Sequence, residues 1–290
     1  MKITSTVIPA AGYGTRFLPY TKTIPKEMLP LLNTPAIHTI IQECITSHVT
    51  NITIISNSEK TALNDYFSPQ ERLEEFLKKQ NKSSLLNEVN NLIQAVNVTF
   101  VEQQEQKGLG HAVLMAQEAI SDPYFGVILP DDLIYNDTPA LAQLLAIAER
   151  ENASVIAVQE VPLPLISSYG VIAIKKEIAP ALYEVETLVE KPAPDQAPSN
   201  LAIIGRYILS KNIFQSLTQI TPSVGKELQL TDAIAHLIHH QKQRVLAYKI
   251  TGTRYDIGTP LGWLKANIHS ALQHPTYSAE IKKFLQEFLS

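Results

Sequence analysis

The sequence predicts an α/β fold, a mixed but mostly parallel sheet flanked by helices. Two observations carry that prediction. Short β-rich runs alternate with segments of helical period along the first half of the chain, the pattern of βαβ units. The composition is also that of a chain with a large core: 45% of its 290 residues are hydrophobic and only 18% are charged. Its 18 Pro and 11 Gly are near the average for folded proteins, which excludes collagen-like and disordered classes. We read a single domain over residues 1–290.

Strands are predicted at Thr6-Val7-Ile8, Ile52 to Ile55, Val96 to Val101, Phe125 to Leu129 and Ser154 to Val158, all rich in β-branched or aromatic residues. The clearest helix has Thr34 as its N-cap and Pro35 in its first turn, with Ile37, Ile40, Ile41, Cys44 and Ile45 on one face. A second such start, Thr138-Pro139, precedes Leu141, Leu144 and Leu145, so a helix is expected directly after the Phe125 to Leu129 strand. Residues 58–95 carry polar helical patterns, striped by Leu73, Phe76 and Leu77 and then Leu85, Leu86, Val89 and Ile93; they are read as a helical insertion. Later strands are expected at Gly170 to Ile174, Glu186 to Val189, Leu201 to Leu209 and Val245 to Ile250, with a helix after Thr231. The chain closes in a helical tail over 260–290, whose stripe of Ile281, Phe284, Leu285 and Phe288 suits the core or a partner subunit.

The formal net charge of −4 supplies no global positive field for nucleic acid or anionic lipid, so neither partner is expected. Any anionic ligand needs a locally built site. Cys44 is the only cysteine, which rules out an intrachain disulfide and a cysteine-based zinc cluster and suits a reducing cytosol. The apolar stretch after Lys2 is broken by Pro9 and Gly12 before Arg16, too short for a signal peptide, and nowhere do about 18 apolar residues run together. The expectation is a soluble, cytoplasmic protein without a membrane partner.

The most informative segment follows the first strand: Pro9-Ala10-Ala11-Gly12-Tyr13-Gly14-Thr15-Arg16, then Pro25-Lys26-Glu27-Met28-Leu29-Pro30. Small residues let backbone N–H groups approach phosphates, and Arg16 and Lys26 add fixed positive charge. Neither the dinucleotide fingerprint nor the P-loop fits, because Phe17 stands where the former needs Gly or Ala and no Gly-Lys-Ser/Thr occurs. Further pieces sit just beyond predicted strands: Gln103 and Gly108-Leu109-Gly110-His111-Ala112, Asp131-Asp132, Glu190-Lys191-Pro192 and Tyr255-Asp256-Ile257-Gly258. In open α/β sheets that edge is where ligands bind.

Taken together these residues closely resemble the sugar-1-phosphate nucleotidyltransferases, and most of all their bacterial uridylyl-transferring branch. The likeness runs nearly end to end and includes Ala197 to Ile203, Gly205-Arg206-Tyr207 and Gln229 to Ile234. One departure is Glu102, where the pattern of the family has Arg. The resemblance implies a Rossmann-like fold of the nucleotide-diphospho-sugar transferase type. It also implies Mg²⁺-dependent attack of α-D-glucose 1-phosphate on UTP, giving UDP-glucose and pyrophosphate, in a homodimer or homotetramer. The sugar phosphate is already anionic, so the obstacle is bringing two anions together; like unit charges 4 Å apart repel by roughly 4 kcal/mol at an effective dielectric of 20.

By the same resemblance Arg16 and Lys26 hold the triphosphate and the developing pyrophosphate, and Lys191 bridges the two substrates' phosphates. Ala11, Gly12, Gly14, Thr15 and Gly108 line the nucleotide site. Gln103 offers an amide donor and acceptor to the uracil edge. Glu190, Gly170 and Asn200 belong to the sugar site. Asp131 and Asp256 ligate Mg²⁺, with Asp132 as the other candidate, since adjacent carboxylates cannot be told apart in sequence. His111 is read as a hydrogen-bonding support of the nucleotide loop, His239-His240 as a solvated pair, and Trp263 as packing against the final helices. The same chemistry on another nucleotide or sugar stays open, as in a thymidylyl or guanylyl transferase, and so does a non-catalytic sugar-nucleotide sensor.

Overall fold

A computed structural model describes residues 2–222 and 227–289. Its strands, in chain order, are β1 (Ser5–Pro9), β2 (Pro30–Leu31), β3 (Thr34–Pro35), β4 (Asn51–Ser56), β5 (Asn97–Glu102), β6 (Tyr124–Ile128), β7 (Asp132–Tyr135), β8 (Ser154–Glu160), β9 (Gly170–Ala179), β10 (Leu182–Glu190), β11 (Leu201–Ser210), β12 (Val245–Lys249) and β13 (Thr253–Asp256). The helices are α1 (Ala36–Thr46), α2 (Thr61–Tyr66), α3 (Glu71–Lys79), α4 (Asn87–Gln94), α5 (Leu109–Met115), α6 (Ala140–Glu151), α7 (Ile213–Gln219), α8 (Leu230–His239), α9 (Pro260–Gln273) and α10 (Ser278–Leu289).

Nine strands form one sheet in the order β5-β4-β1-β6-β11-β8-β12-β10-β9. β5, β4, β1 and β6 are parallel neighbours, as are β8 and β12, whereas β11 and β10 run against the strands they pair with. The parallel half brings the carboxyl ends of β1, β4, β5 and β6 to one edge, and the loops that follow them build the site.

Both faces of the sheet are covered, as side-chain alternation requires. Val7 and Ile55 join Val113, Phe214 and Ile234 in one layer; the neighbouring Ile8 and Ile54 join Ile37, Ile41, Cys44 and Leu144 in the other. Phe125 stacks on Phe214 with ring centroids 5.1 Å apart. Burial pushes the Cys44 thiol far up, which leaves it an unreactive core residue.

Several expectations are corrected. Thr34 does not cap α1: Thr34-Pro35 pairs with Pro30-Leu31 as a short hairpin, and the helix starts at Ala36 with Pro35 in extended conformation before it. The α6 helix does not follow β6 directly. β7 intervenes, because Asp132–Tyr135 pairs antiparallel with β13. The helical segments between 58 and 95 are present, yet of the Leu73, Phe76 and Leu77 stripe only Leu77 is buried. In α10, Phe284 and Phe288 stack on each other and stay exposed, whereas Ile281 and Leu285 are half-buried. Trp263 lies on α9 but turns towards the β1–β2 loop, its indole N–H donating to the Pro30 carbonyl (2.9 Å) and its ring meeting Phe17 edge-on.

Candidate active site

Two adjoining clefts lie at the strand edge. The first, about 330 Å³, is lined by Ala11, Gly12, Lys26, Gln103, Gly108 and Asp131 among others. The second, about 190 Å³, is lined by Tyr169, Gly170, Glu190, Thr231, Arg254 and Asp256 among others. Leu129 and Leu109 line both, and so does Asp131, at their junction.

The loop after β1 is pinned by its carbonyls. Ala11 O accepts from Asn57 Nδ2 (2.7 Å) and Gln106 Nε2 (2.9 Å), and Gly14 O accepts from the Thr21 hydroxyl (2.8 Å). Ala10 O accepts from Lys60 Nζ at 2.5 Å, and the same ammonium reaches Glu27 Oε2 at 2.8 Å. Both members of that pair are buried, which ties the loop to the turn carrying Lys26. Gly14, at φ 66, occupies the left-handed region that favours glycine. A Cβ at Gly12 would meet no heavy atom within 4 Å, so a side chain there would project into open space instead of packing. Gly108 (φ 98) opens α5 where a Cβ would strike the Leu228 carbonyl at 2.8 Å. Thr15 and Arg16 sit in an exposed turn, and the Arg16 charge acts on both Lys26 and Asp131.

Lys26 Nζ lies 2.5 Å from Asp131 Oδ2. Burial opposes the ammonium charge, but Asp131 and Glu27 outweigh it and hold the lysine above its usual range. Burial likewise opposes ionisation of Asp131, and the Lys26 charge and hydrogen bond overcome it, so the pair is ionised at neutral pH. Asp256 behaves in the opposite way: burial, then the negative charges of Asp132 and Asp131, raise it.

The β7–β13 pairing sets Asp256 opposite Asp132, and the turn after it brings Asp256 towards Asp131. Asp256 Oδ1 and Asp131 Oδ2 each lie 3.0 Å from the point a Cβ of Gly258 would occupy, so the two carboxylates converge over a glycine. Asp132 is otherwise engaged: its oxygens take both forks of Arg254 (2.5 and 3.1 Å) and the Gly205 N–H (2.9 Å).

Below this turn Arg206, fully buried, donates to both oxygens of Glu43 (2.9 and 2.7 Å) and to the carbonyls of Leu129, Gly205 and Asp132. The main chain on either side of Asp131 is therefore held by a guanidinium. In sequence the signal for it is a lone charge in the otherwise apolar Leu201 to Leu209 strand, which burial obliges to find a partner.

In the first cleft Gln103, only 3% exposed, places its amide nitrogen 2.7 Å from His111 Nδ1. In the second, Glu190 Oε2 accepts from Thr231 (2.7 Å), and Gly170 leaves room for both, since a Cβ would meet the Thr231 hydroxyl at 2.9 Å. Lys191, exposed and at φ 46, lies beside Glu190. Asn200 is not brought to either cleft; its carbonyl accepts from Val161 N–H (3.0 Å) at the start of β11. His239 and His240 are exposed at the end of α8. Arg254, Lys60, Gln106 and Asn57 carry no signal in the sequence, because isolated polar residues in loops or in a short strand have no spacing pattern.

A phosphate-compatible loop, a Lys26–Asp131 pair and two converging carboxylates between two clefts define a site for transfer between phosphorylated substrates. The nucleotidyl transferase family pattern matches residues 5–272, and the chain belongs to that family. Among similar proteins, a UTP–glucose-1-phosphate uridylyltransferase of Staphylococcus epidermidis is 44% identical over 286 residues, covering 99% of this chain and 98% of the relative. A UTP-bound UGPase from Acinetobacter baumannii superposes with a TM-score of 0.89 at 35% identity, covering 99% of each chain. A UDP-glucose pyrophosphorylase complexed with UDP-glucose superposes with a TM-score of 0.84 at 37% identity, covering 94% of this chain and all of the other.

Proposed function

We propose that this chain transfers the uridylyl group of UTP to α-D-glucose 1-phosphate, giving UDP-glucose and pyrophosphate. The observation that carries this is the junction of the two clefts at Asp131, with the Lys26 ammonium on its carboxylate. A nucleotide in the first cleft and a sugar phosphate in the second meet there. The names of the relatives, covering nearly the whole chain, support the choice of uracil and glucose.

The sugar phosphate oxygen attacks the α-phosphorus as the P–O bond to pyrophosphate breaks, and no group need remove a proton from the nucleophile. The protein's task is positioning and neutralisation of charge. Lys26 is held charged and faces the triphosphate, with Arg16 on the exposed turn above it. Lys191 neutralises the approaching sugar phosphate, and Glu190, fixed by Thr231, accepts from sugar hydroxyls with Gly170 beside it. Asn200 lines neither cleft, so no sugar contact is assigned to it. Ala11, Gly12, Gly14, Thr15 and Gly108 shape the nucleotide cleft, and Gln103 meets the base.

Asp131 and Asp256 fit a divalent cation, since two hard carboxylate oxygens converge over Gly258. Mg²⁺ bound there supplies charge neutralisation to the phosphates. We assign the ligand role to Asp131 over Asp132 because Arg254 takes both oxygens of Asp132, whereas Lys26 takes only Oδ2 of Asp131. The cellular setting we propose is the cytoplasm; no helix among the described residues is long and apolar enough to cross a membrane. We also propose a homodimer or homotetramer, for which the exposed Phe284 and Phe288 of α10 provide apolar surface.

The test is Mg²⁺-dependent pyrophosphate release from purified protein, offering UTP, dTTP, GTP and ATP against glucose, galactose and mannose 1-phosphates, with EDTA as control. Activity confined mainly to UTP and glucose 1-phosphate is expected. A different preferred pair keeps the mechanism and changes the substrates, whereas silence with sugar nucleotide still bound replaces catalysis by sensing.

A further inference from the structure

The Gln103 amide has one hydrogen-bonding partner for its side chain among the described residues, His111 Nδ1 at 2.7 Å. An amide nitrogen donates and cannot accept, so the contact in this sense requires the imidazole tautomer with its proton on Nε2 and Nδ1 free to accept. One amide hydrogen is thereby spent on His111. The other hydrogen and the carbonyl oxygen remain, side by side, as a donor–acceptor pair. Gln103 lines the first cleft, its own backbone N–H is tied to Ser56 O (2.7 Å) at the end of β4, and it is almost wholly buried, so the side chain has little freedom but to rotate end for end.

We propose that His111 is a positioning residue that sets which way round the Gln103 amide faces the base, and so selects uracil over cytosine. The inference rests on the reading that the first cleft holds a pyrimidine nucleotide. Uracil offers an acceptor at O4 beside a donor at N3–H; the amide as held by neutral His111 offers the complementary donor and acceptor. Cytosine offers the inverse, a donor at N4 and an acceptor at N3, which only the reversed amide matches. A protonated His111 must donate from Nδ1, draws the Gln103 oxygen to itself and turns the amide nitrogen outward. The neutral ring is favoured at neutral pH, because burial and the Lys107 charge lower its pKa. Lys107 and Glu105, paired with each other in the preceding loop, are the charged groups acting on the ring. Of the elements packed on α5, β1, β4 and α7 bring no titratable side chain; the segment before α8 brings Glu227 to the first cleft, its carboxylate accepting from Gln229 (3.0 Å), and α8 carries Asp232, His236 and His239, of which His236 turns to Ser216 and His239 is exposed.

The experiment measures kcat/KM for UTP and for CTP with glucose 1-phosphate, in the unaltered protein between about pH 5 and about pH 8, a window extended well below the usual imidazole value because the His111 ring is lowered. The preference for UTP falls by about tenfold or more on the acid side, mainly through KM for the nucleotide, because a site built for one hydrogen-bond pattern rejects its inverse. In His111→Phe the preference is lowered by a similar factor and its pH dependence vanishes. Gln103→Ala is the control on the underlying reading, and calorimetric UTP binding checks that each variant is folded. A preference that stays constant with pH in the unaltered protein and survives His111→Phe, yet relaxes in Gln103→Ala, overturns the positioning role alone. A preference unmoved in Gln103→Ala as well overturns base reading at Gln103 and the inference with it. Should His111→Phe fold poorly, His111→Ala carries the same reading: its UTP preference falls by a similar factor where the ring positions the amide, and an unchanged preference overturns that role.

Discussion

Arg206→Met removes the guanidinium that holds the turn on either side of Asp131. Arg206 is fully buried, and its side chain donates twice to Glu43 and once to each of three carbonyls, those of Leu129, Gly205 and Asp132. Methionine fills much of the volume but donates nothing, so the half-buried Glu43 keeps its charge with only the Leu141 N–H (2.9 Å) on it, and the Gly205 and Leu129 carbonyls keep only their backbone donors, Leu129 N–H (2.9 Å) and Asp132 N–H (3.3 Å). Breaking a buried pair from one side costs about 3–5 kcal/mol. For 290 residues at about 2.1 cal/mol/K of unfolding entropy each, that lowers the thermal midpoint by roughly 5–8 °C. Arg206→Met with Glu43→Leu removes the orphaned charge and recovers part of the loss, although the guanidinium's bonds to the three carbonyls stay lost. Scanning calorimetry of both single variants and the double variant measures the coupling. The reasoning fails if Arg206→Met costs less than about 2 °C, or if the double variant loses the sum of the singles. Turnover should fall too, because the Leu129 and Asp132 carbonyls flank Asp131.

Asp131→Asn should lower turnover by on the order of 10² while the midpoint moves by only about 2 °C, since the carboxylate acts mainly on ligand charge; full activity in a destabilised variant would assign it a structural role instead. Asp122 provides a test in pH. Burial pushes its carboxyl up, but bonds from Ser5 and Thr4 outweigh burial and hold it below the usual 3.8. A depressed carboxyl stabilises the fold fully above that value and loses the contribution as pH falls through the lower folded one. The midpoint difference between the unaltered protein and Asp122→Ala should therefore be constant from neutral pH to about pH 5 and shrink near pH 3; a constant difference there would contradict the assignment.

The parts of the site that lie within a few residues of a strand end were legible in the chain. Small residues and cations after β1, Gln103 after β5 and Asp131 after β6 announce themselves, because a parallel strand leaves its carboxyl end open and the loop there meets the ligand. What spans long separations was not. Lys26 meets Asp131 across 105 residues, and Asp256 is carried to it by a pairing between β7 and β13 that no local period encodes. Sequence placed Asn200 in the sugar site from its neighbourhood alone, and only the fold shows it away from both clefts.

Thr34-Pro35 reads locally as a helix start, yet backbone pairing with Pro30-Leu31 competes for the same residues and wins. The composition and periodicity of the chain determined by themselves that a sheet would form with helices over both faces, since alternating apolar residues have nowhere else to be buried. Only the tertiary structure tells Asp131 from Asp132, because the folded chain alone brings them their partners: both line the second cleft, but Arg254 takes both oxygens of Asp132, whereas Asp131 also lines the first cleft and meets Lys26 through Oδ2.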